Sequence, residues 1–211
     1  MKEKNELSYK SLKMICDPEM FHFETTGELE PINDGIGQER GIKAFEFGIN
    51  VDVKGNNIYI EGPSGVGKTH LATAIGITAA KMRYSVYFIS CHDLITQLNK
   101  AHYENKLEAR IKHFCRYELL IIDEIGYLPV DKQGANLFFQ LITKRYEKHS
   151  TIITTNQTFN KWGEVFSDNV LANAILDRLL HHSTVVNIRG NSYRIKDKLQ
   201  HLISETEYKK E

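Results

Sequence analysis

The chain has 211 residues, 41% hydrophobic and 26% charged, enough for one well-buried domain with a small appendage. No apolar run approaches the roughly 18 residues needed to span a bilayer, and the charged start Met1-Lys2-Glu3-Lys4 leads into no signal-peptide core, which predicts a cytoplasmic protein without membrane contacts. The formal net charge is zero, but residues 1–53 carry 11 acidic and 6 basic side chains, so the remainder is mildly basic. That balance permits contact with a nucleic-acid backbone and excludes a strongly cationic binding domain.

Residues 1–53 are irregular, broken by Pro18, Pro31 and the Gly35-Ile36-Gly37 turn, and are read as a separate N-terminal segment. Residues 54–203 are read as the main domain and 204–211 as a polar, frayed tail. Within the main domain, strand-like runs Ile58–Ile60, Val86–Ser90, Leu119–Asp123, Thr151–Thr155 and Val185–Ile188 alternate with helix-like stretches. The alternation predicts an α/β fold, a five-stranded parallel sheet between helices, with strands buried on both faces. Leu94, Ile95, Leu98, Leu107 and Ile111 predict two amphipathic helices between the second and third runs. Leu137, Phe138, Leu141, Ile142 and Tyr146 predict another over 133–147, and a further helix is expected over 169–181.

Between the first strand and the first helix, Gly62-Pro63-Ser64-Gly65-Val66-Gly67-Lys68-Thr69 fits G-x-x-x-x-G-K-[ST] without a mismatch. Glycines let successive N–H groups curl toward phosphates at a helix N-terminus, whose partial charge favours anions. These residues and the adjoining His70 are the expected ATP contacts. Lys68 reaches for the β- and γ-phosphates, and Thr69 offers a hydroxyl to Mg²⁺. This context predicts a P-loop NTPase.

The run Leu119-Leu120-Ile121-Ile122-Asp123-Glu124 is an apolar strand ending in two carboxylates, the form of a Walker B segment. Asp123 is expected to hold Mg²⁺ and Glu124 to act as general base toward the attacking water. Asn156, ending the β-branched run Thr151–Thr155, is a candidate γ-phosphate sensor; asparagine also ends strands because it tolerates turns. Arg178 and Arg194 can each neutralise charge on the γ-phosphate, or serve as a helix-end cation and a partner of Asp197 respectively. Lys100, Lys106, Arg110, Lys112 and Arg116 with His102, Tyr103 and His113 form either a nucleic-acid face or a solvated helix face, and interleaved Glu104 and Glu108 favour the latter. Cys16, Cys91 and Cys115 lack ligand or disulfide spacing and read as free thiols. His70, His181 and His182 have no carboxylate or cysteine at ligand spacing, so no protein-only metal site is expected.

From about Gly62 to Lys196 the sequence resembles the IstB-type ATP-binding helpers of bacterial insertion sequences, themselves similar to DnaC-type helicase loaders. The resemblance rests on Gly65-Val66-Gly67-Lys68-Thr69-His70-Leu71-Ala72, Leu120 to Pro129, Arg145-Tyr146-Glu147, Thr154-Thr155-Asn156, Trp162-Gly163-Glu164-Val165-Phe166, Ala174 to His182 and Gly190-Asn191-Ser192-Tyr193-Arg194. It implies an AAA+ module in which Arg178 acts as a finger on the neighbouring subunit's ATP and Arg194 as a second sensor within its own subunit. It further implies a homo-oligomer formed on ATP and DNA, with a transposase or a replicative helicase as partner. The N-terminal stretches Cys16-Asp17-Pro18, Phe21 to Leu29, Ile36 to Arg40 and Phe45 to Gly48 resemble the segment leading into the ATPase of Lon-like ATP-dependent proteases; independently of that lineage, resemblance to AAA+ proteins in general implies Ile36 and Gly37 beside the adenine. No protease module is expected after Arg194. Two functions follow: an ATPase acting on DNA in transposition or helicase loading, and a nucleotide-dependent protein-interaction module without useful turnover. A small-molecule P-loop kinase fits the residue set less well.

Overall fold

The computed structural model describes residues 55–190 and Ser192. The N-terminal segment 1–53, with Ile36 and Gly37, the tail 204–211 and Arg194 lie outside the described residues.

Among the described residues five strands and six helices follow one another: β1 (Asn57–Glu61), α1 (Lys68–Lys81), β2 (Val86–Ser90), α2 (Cys91–Tyr103), α3 (Leu107–Cys115), β3 (Leu119–Ile125), α4 (Lys132–Arg145), β4 (Ser150–Thr155), α5 (Trp162–Val165), α6 (Asn169–Leu180) and β5 (Ser183–Asn187). All strand pairs are parallel, in the order β2-β3-β4-β1-β5. The five predicted strands and the helices of the notable apolar stripes are all present within a few residues of their expected bounds.

Side-chain alternation along each strand divides the core in two. Ile58, Ile60, Ile121 and Ile152 face α1 through Leu71, Ala72 and Ile75. Tyr59, Leu120, Ile122 and Ile153 face the other layer, where Leu94, Leu98, Phe138, Leu141, Ile175 and Leu179 come from α2, α4 and α6. Side-chain caps start three of these helices: Ser90 accepts from Asp93 N at 3.1 Å, Asp131 from Gly134 N at 2.9 Å and Asp168 from Leu171 N at 3.0 Å. Each cap is worth about 1 kcal/mol.

Burial on both faces holds for β1, β3 and β4 but not for the two outer strands. Phe88 in β2 and Val185 in β5 remain 45% and 48% exposed, because an edge strand has a neighbour on only one side and less helix above it. The short helix α5 and the 3₁₀ turn Phe159–Lys161 before it are also absent from the sequence expectations. With only four residues, α5 shows no helical period, and Trp162 anchors it by filling the core between Tyr59 and Phe166.

The strand order places the C-terminal ends of β3, β4 and β1 side by side. The connection leaving β1 crosses on the α1 face of the sheet and the one leaving its neighbour β4 on the opposite face, so a crevice opens between them at the carboxyl edge.

Candidate functional site

The loop from Gly62 to Gly67 leaves β1 at that carboxyl edge and delivers the chain into α1. Gly67 caps the helix with φ 93°, a left-handed conformation that side chains resist. Gly65 is held at φ +83°, and the hydroxyl of Ser192 occupies the space that a Cβ would need. The chain after β5 therefore returns against the loop, as Ile188 N donating to Glu61 O at 2.8 Å also shows. Lys68 is buried, and its Nζ donates to the carbonyls of Gly62 and Pro63 at 2.7 and 2.6 Å, arching over the loop it follows. Val66 is buried beneath the loop, whereas Pro63, Ser64 and His70 are exposed. Ser64 Oγ lies 3.0 Å from the Tyr127 hydroxyl, which ties the loop to the segment after β3.

Thr69, in the first turn of α1, donates to both oxygens of Asp123 at 3.1 Å. A hydroxyl and a buried carboxylate facing one another are hard oxygen donors of the kind Mg²⁺ takes, so the residues present fit that ion. Asp123 also accepts from Thr154 Oγ1, and the same hydroxyl accepts from Glu124 N at 2.9 Å. Thr154 is fully buried and thus fixes both carboxylate residues at once. Sequence reading saw it only as part of a β-branched strand; its cross-strand position, which depends on the register of β3 against β4, is what gives it this role.

That register has a bulge. Ile122 pairs with Ile153 and Ile125 with Thr155, so Asp123 and Glu124 together oppose Thr154 alone. Glu124 takes φ 64°, unusual for a residue with a side chain, and its carboxylate is exposed while Asp123 on one side and Ile125 on the other are buried. At the end of β4, the half-buried Asn156 has a side-chain oxygen, Oδ1, that is buried without a hydrogen-bond partner. The structure thus brings together the Gly62–Thr69 loop, Asp123, Glu124 and Asn156 at the ends of three adjacent strands.

Arg178 stands apart from this group. It lies in the last turn of α6, with Nη1 donating to Ala174 O at 2.9 Å and its guanidinium 4.7 Å from the centre of the Phe139 ring. The end of α6 is clamped to the start of β1: Asn57 Nδ2 donates to Leu179 O at 3.0 Å and Asn57 N to His182 O at 2.7 Å. The phosphate-type loop follows the other end of the same strand, roughly 13 Å away at a rise of about 3.3 Å per residue.

The basic stretch over α2 and α3 behaves as a solvated surface where it can be followed. Lys100 and Lys106 lie 3.9 and 3.5 Å from the Glu104 carboxylate, with all three side chains exposed, and Tyr103 is 75% exposed. Cys91 and Cys115 are free thiols. Burial pushes the Cys91 thiol up to about 12. Among the described residues no helix is long and apolar enough to cross a membrane.

Comparison with known proteins bears on the family and the fold. A protein of Bacillus thuringiensis subsp. berliner described as an ATP-binding protein of insertion sequence IS232 is 68% identical over 141 residues, 67% of this chain and 56% of the relative. One of Pseudomonas aeruginosa, from insertion sequence IS21, is 52% identical over 162 residues, 77% of this chain and 61% of the relative. The chain thus spans well under two thirds of the length of these curated relatives. Among solved structures, the DnaC helicase loader superposes with a TM-score of 0.63 at 26% identity, covering 76% of this chain and 94% of that one. AMPPCP-bound DnaA from Aquifex aeolicus shares the fold, with a TM-score of 0.61 at 24% identity over 80% of this chain and 52% of that one. These neighbours identify the α/β sheet as a P-loop AAA+ fold.

The Lon-like reading of the N-terminal segment is not supported; the family match, which starts at residue 38, takes in its last stretches, 38–40 and 45–48. Short glycine-containing and acidic stretches of that kind carry too little pattern to separate one AAA+ lineage from another. With residues 38–201 matching the family described as IstB-like ATP binding protein, and with relatives up to 68% identical, the chain belongs to the IstB-like ATP-binding proteins.

Proposed function

We propose that the chain binds ATP with Mg²⁺ and hydrolyses it within a homo-oligomer assembled on DNA, as a cytoplasmic transposition helper or helicase-loader-like protein. The observation that carries this reading is the convergence of the Lys68–Thr69 loop end, Asp123, Glu124 and Asn156 on one edge of the sheet. The names of the relatives and of the DnaC neighbour support it.

The loop N–H groups and Lys68 bind the β- and γ-phosphates, the lysine exchanging its loop carbonyls for phosphate oxygens. Thr69 and Asp123 hold Mg²⁺, which when bound neutralises phosphate charge. Glu124, swung outward by the bulge, accepts the proton of the water that attacks the γ-phosphorus. Asn156, at the end of β4, donates its amide to the γ-phosphate or orients the same water. Ser64, Gly65, Val66 and His70 shape the loop and its exit. Arg178, a strand length from its own loop, acts on the ATP of a neighbouring subunit, and such head-to-tail contacts close into rings or run on as filaments. By resemblance, Arg194 senses the γ-phosphate within its own subunit and Ile36-Gly37 lines the adenine. A transposase or a replicative helicase is the protein partner.

ATP turnover of the whole chain with and without DNA tests the reading. Glu124→Gln is expected to bind ATP while turnover falls by about 10²- to 10⁴-fold, and Lys68→Ala to lose both. Full activity in Lys68→Ala refutes the nucleotide site, and assembly and turnover that ignore DNA remove the DNA component.

A further inference from the structure

The turn after α4 and the junction between α6 and β5 bring one carboxylate against two adjacent histidines that lie far from it in the sequence. Glu147 lies in the turn, and His181 and His182 follow α6. Their ligand atoms all lie within 4.8 Å of one another. One carboxylate oxygen, Glu147 Oε1, faces both rings, 3.4 Å from His182 Nε2 and 3.7 Å from His181 Nδ1. Two ligands bound at about 2.1 Å to one tetrahedral ion are about 3.4 Å apart. The His182 edge matches that spacing, and the His181 edge is about 0.3 Å longer.

We propose that Glu147, His181 and His182 form a binding site for a first-row divalent transition cation of the Zn²⁺ type, separate from the Mg²⁺ site at Thr69 and Asp123. Two imidazoles and one carboxylate select such ions over Mg²⁺ or Ca²⁺, which take oxygen ligands. The Tyr146 hydroxyl lies 2.6 Å from His181 Nδ1 and occupies that ring position in the ion-free site, so an ion binding there displaces this hydrogen bond.

The backbone beneath the site is held from several sides. Glu147 follows the fully buried Arg145, whose guanidinium donates to Phe114 O and Tyr117 O at 2.8 Å, Ser150 O at 2.6 Å and Thr151 Oγ1 at 3.2 Å. His181 N bonds Asp177 O at 3.1 Å, and the His182 carbonyl is taken by Asn57 N. The donor side chains are about half exposed, open to an ion from solvent. A bound ion staples the last turn of α6, which carries Arg178, to the α4 turn.

The test uses the full chain without a histidine tag, stripped by chelator and titrated with Co²⁺ and then Zn²⁺ in about 10 mM Mg²⁺, which keeps the oxygen site occupied. One Co²⁺ per chain is expected, with visible d–d bands, no thiolate charge-transfer band and displacement by Zn²⁺. The thermal midpoint is expected to rise by about 5–10 °C at a hundredfold excess over Kd. Glu147→Gln and His182→Ala should each weaken binding at least tenfold, and His181→Ala/His182→Ala should abolish it, with metal-free melting of each variant matching the parent. Absence of stoichiometric binding below about 100 µM, or binding that survives in the double variant, overturns the proposal.

Discussion

Asp123 and Glu124 are neighbours with nearly the same side chain and opposite surroundings, one buried among hydroxyls and the other in solvent. The difference comes from one extra residue in β3, which breaks the alternation of the strand and costs a left-handed φ at Glu124. Thr154 holds that geometry, giving its proton to Asp123 and accepting the Glu124 N–H. Thr154→Val keeps the shape but removes both bonds, leaving a buried N–H unmade. We expect it to lower the unfolding free energy by about 1–3 kcal/mol in urea titrations, with turnover falling further than binding because Glu124 loses its orientation.

At the level of elements, the carboxylate of Glu118 joins the starts of β2 and β3. Its Oε2 accepts from Ser85 N at 2.9 Å and from Ser85 Oγ at 3.0 Å, and these bonds hold the carboxyl below its ordinary value. A carboxyl depressed in the folded state stabilises it above the unfolded value and loses that contribution as pH falls through the folded one. Glu118→Gln is therefore expected to cost about 0.5–1 kcal/mol at pH 7, a small figure because solvent screens the exposed group, and progressively less as the pH falls through the folded-state value. Urea midpoints of both proteins across pH 3–8 check this.

The elements also show what periodicity can carry. Leu137, Phe138, Leu141 and Ile142 read as one buried stripe and are all buried in α4. The helix α5 was invisible because four residues complete barely one turn, and Trp162 declares its place only through the Tyr59 and Phe166 rings around it. The half-exposed β2 and β5 were misjudged for a related reason: Val86–Ser90 and Val185–Ile188 are as apolar as central strands, and nothing local to a strand says that it lies at an edge.

At the scale of the whole molecule, the end of α6 and the phosphate-type loop lie at opposite ends of β1, so the proposed role of Arg178 requires a second subunit. Mixing Arg178→Ala, which has a complete loop but no finger, with Lys68→Ala, which has a finger but no loop, is expected to restore turnover above that of either variant alone. Equal rates before and after mixing, measured by phosphate release at fixed total protein, count against action between subunits.

The loop and the paired carboxylates were legible in the sequence because each is a contiguous run of the residue types that phosphate and metal chemistry calls for. So was the alternation of strand and helix, because burial imposes its period on consecutive residues. What only the tertiary structure decided are the contacts between distant segments: Thr154 under Asp123, Asn57 against the end of α6, Arg145 among four acceptors, and Glu147 beside two histidines that seemed to have no carboxylate near them. Local sequence fixes what a segment is by its own period and chemistry, whereas strand order and register fix what it meets.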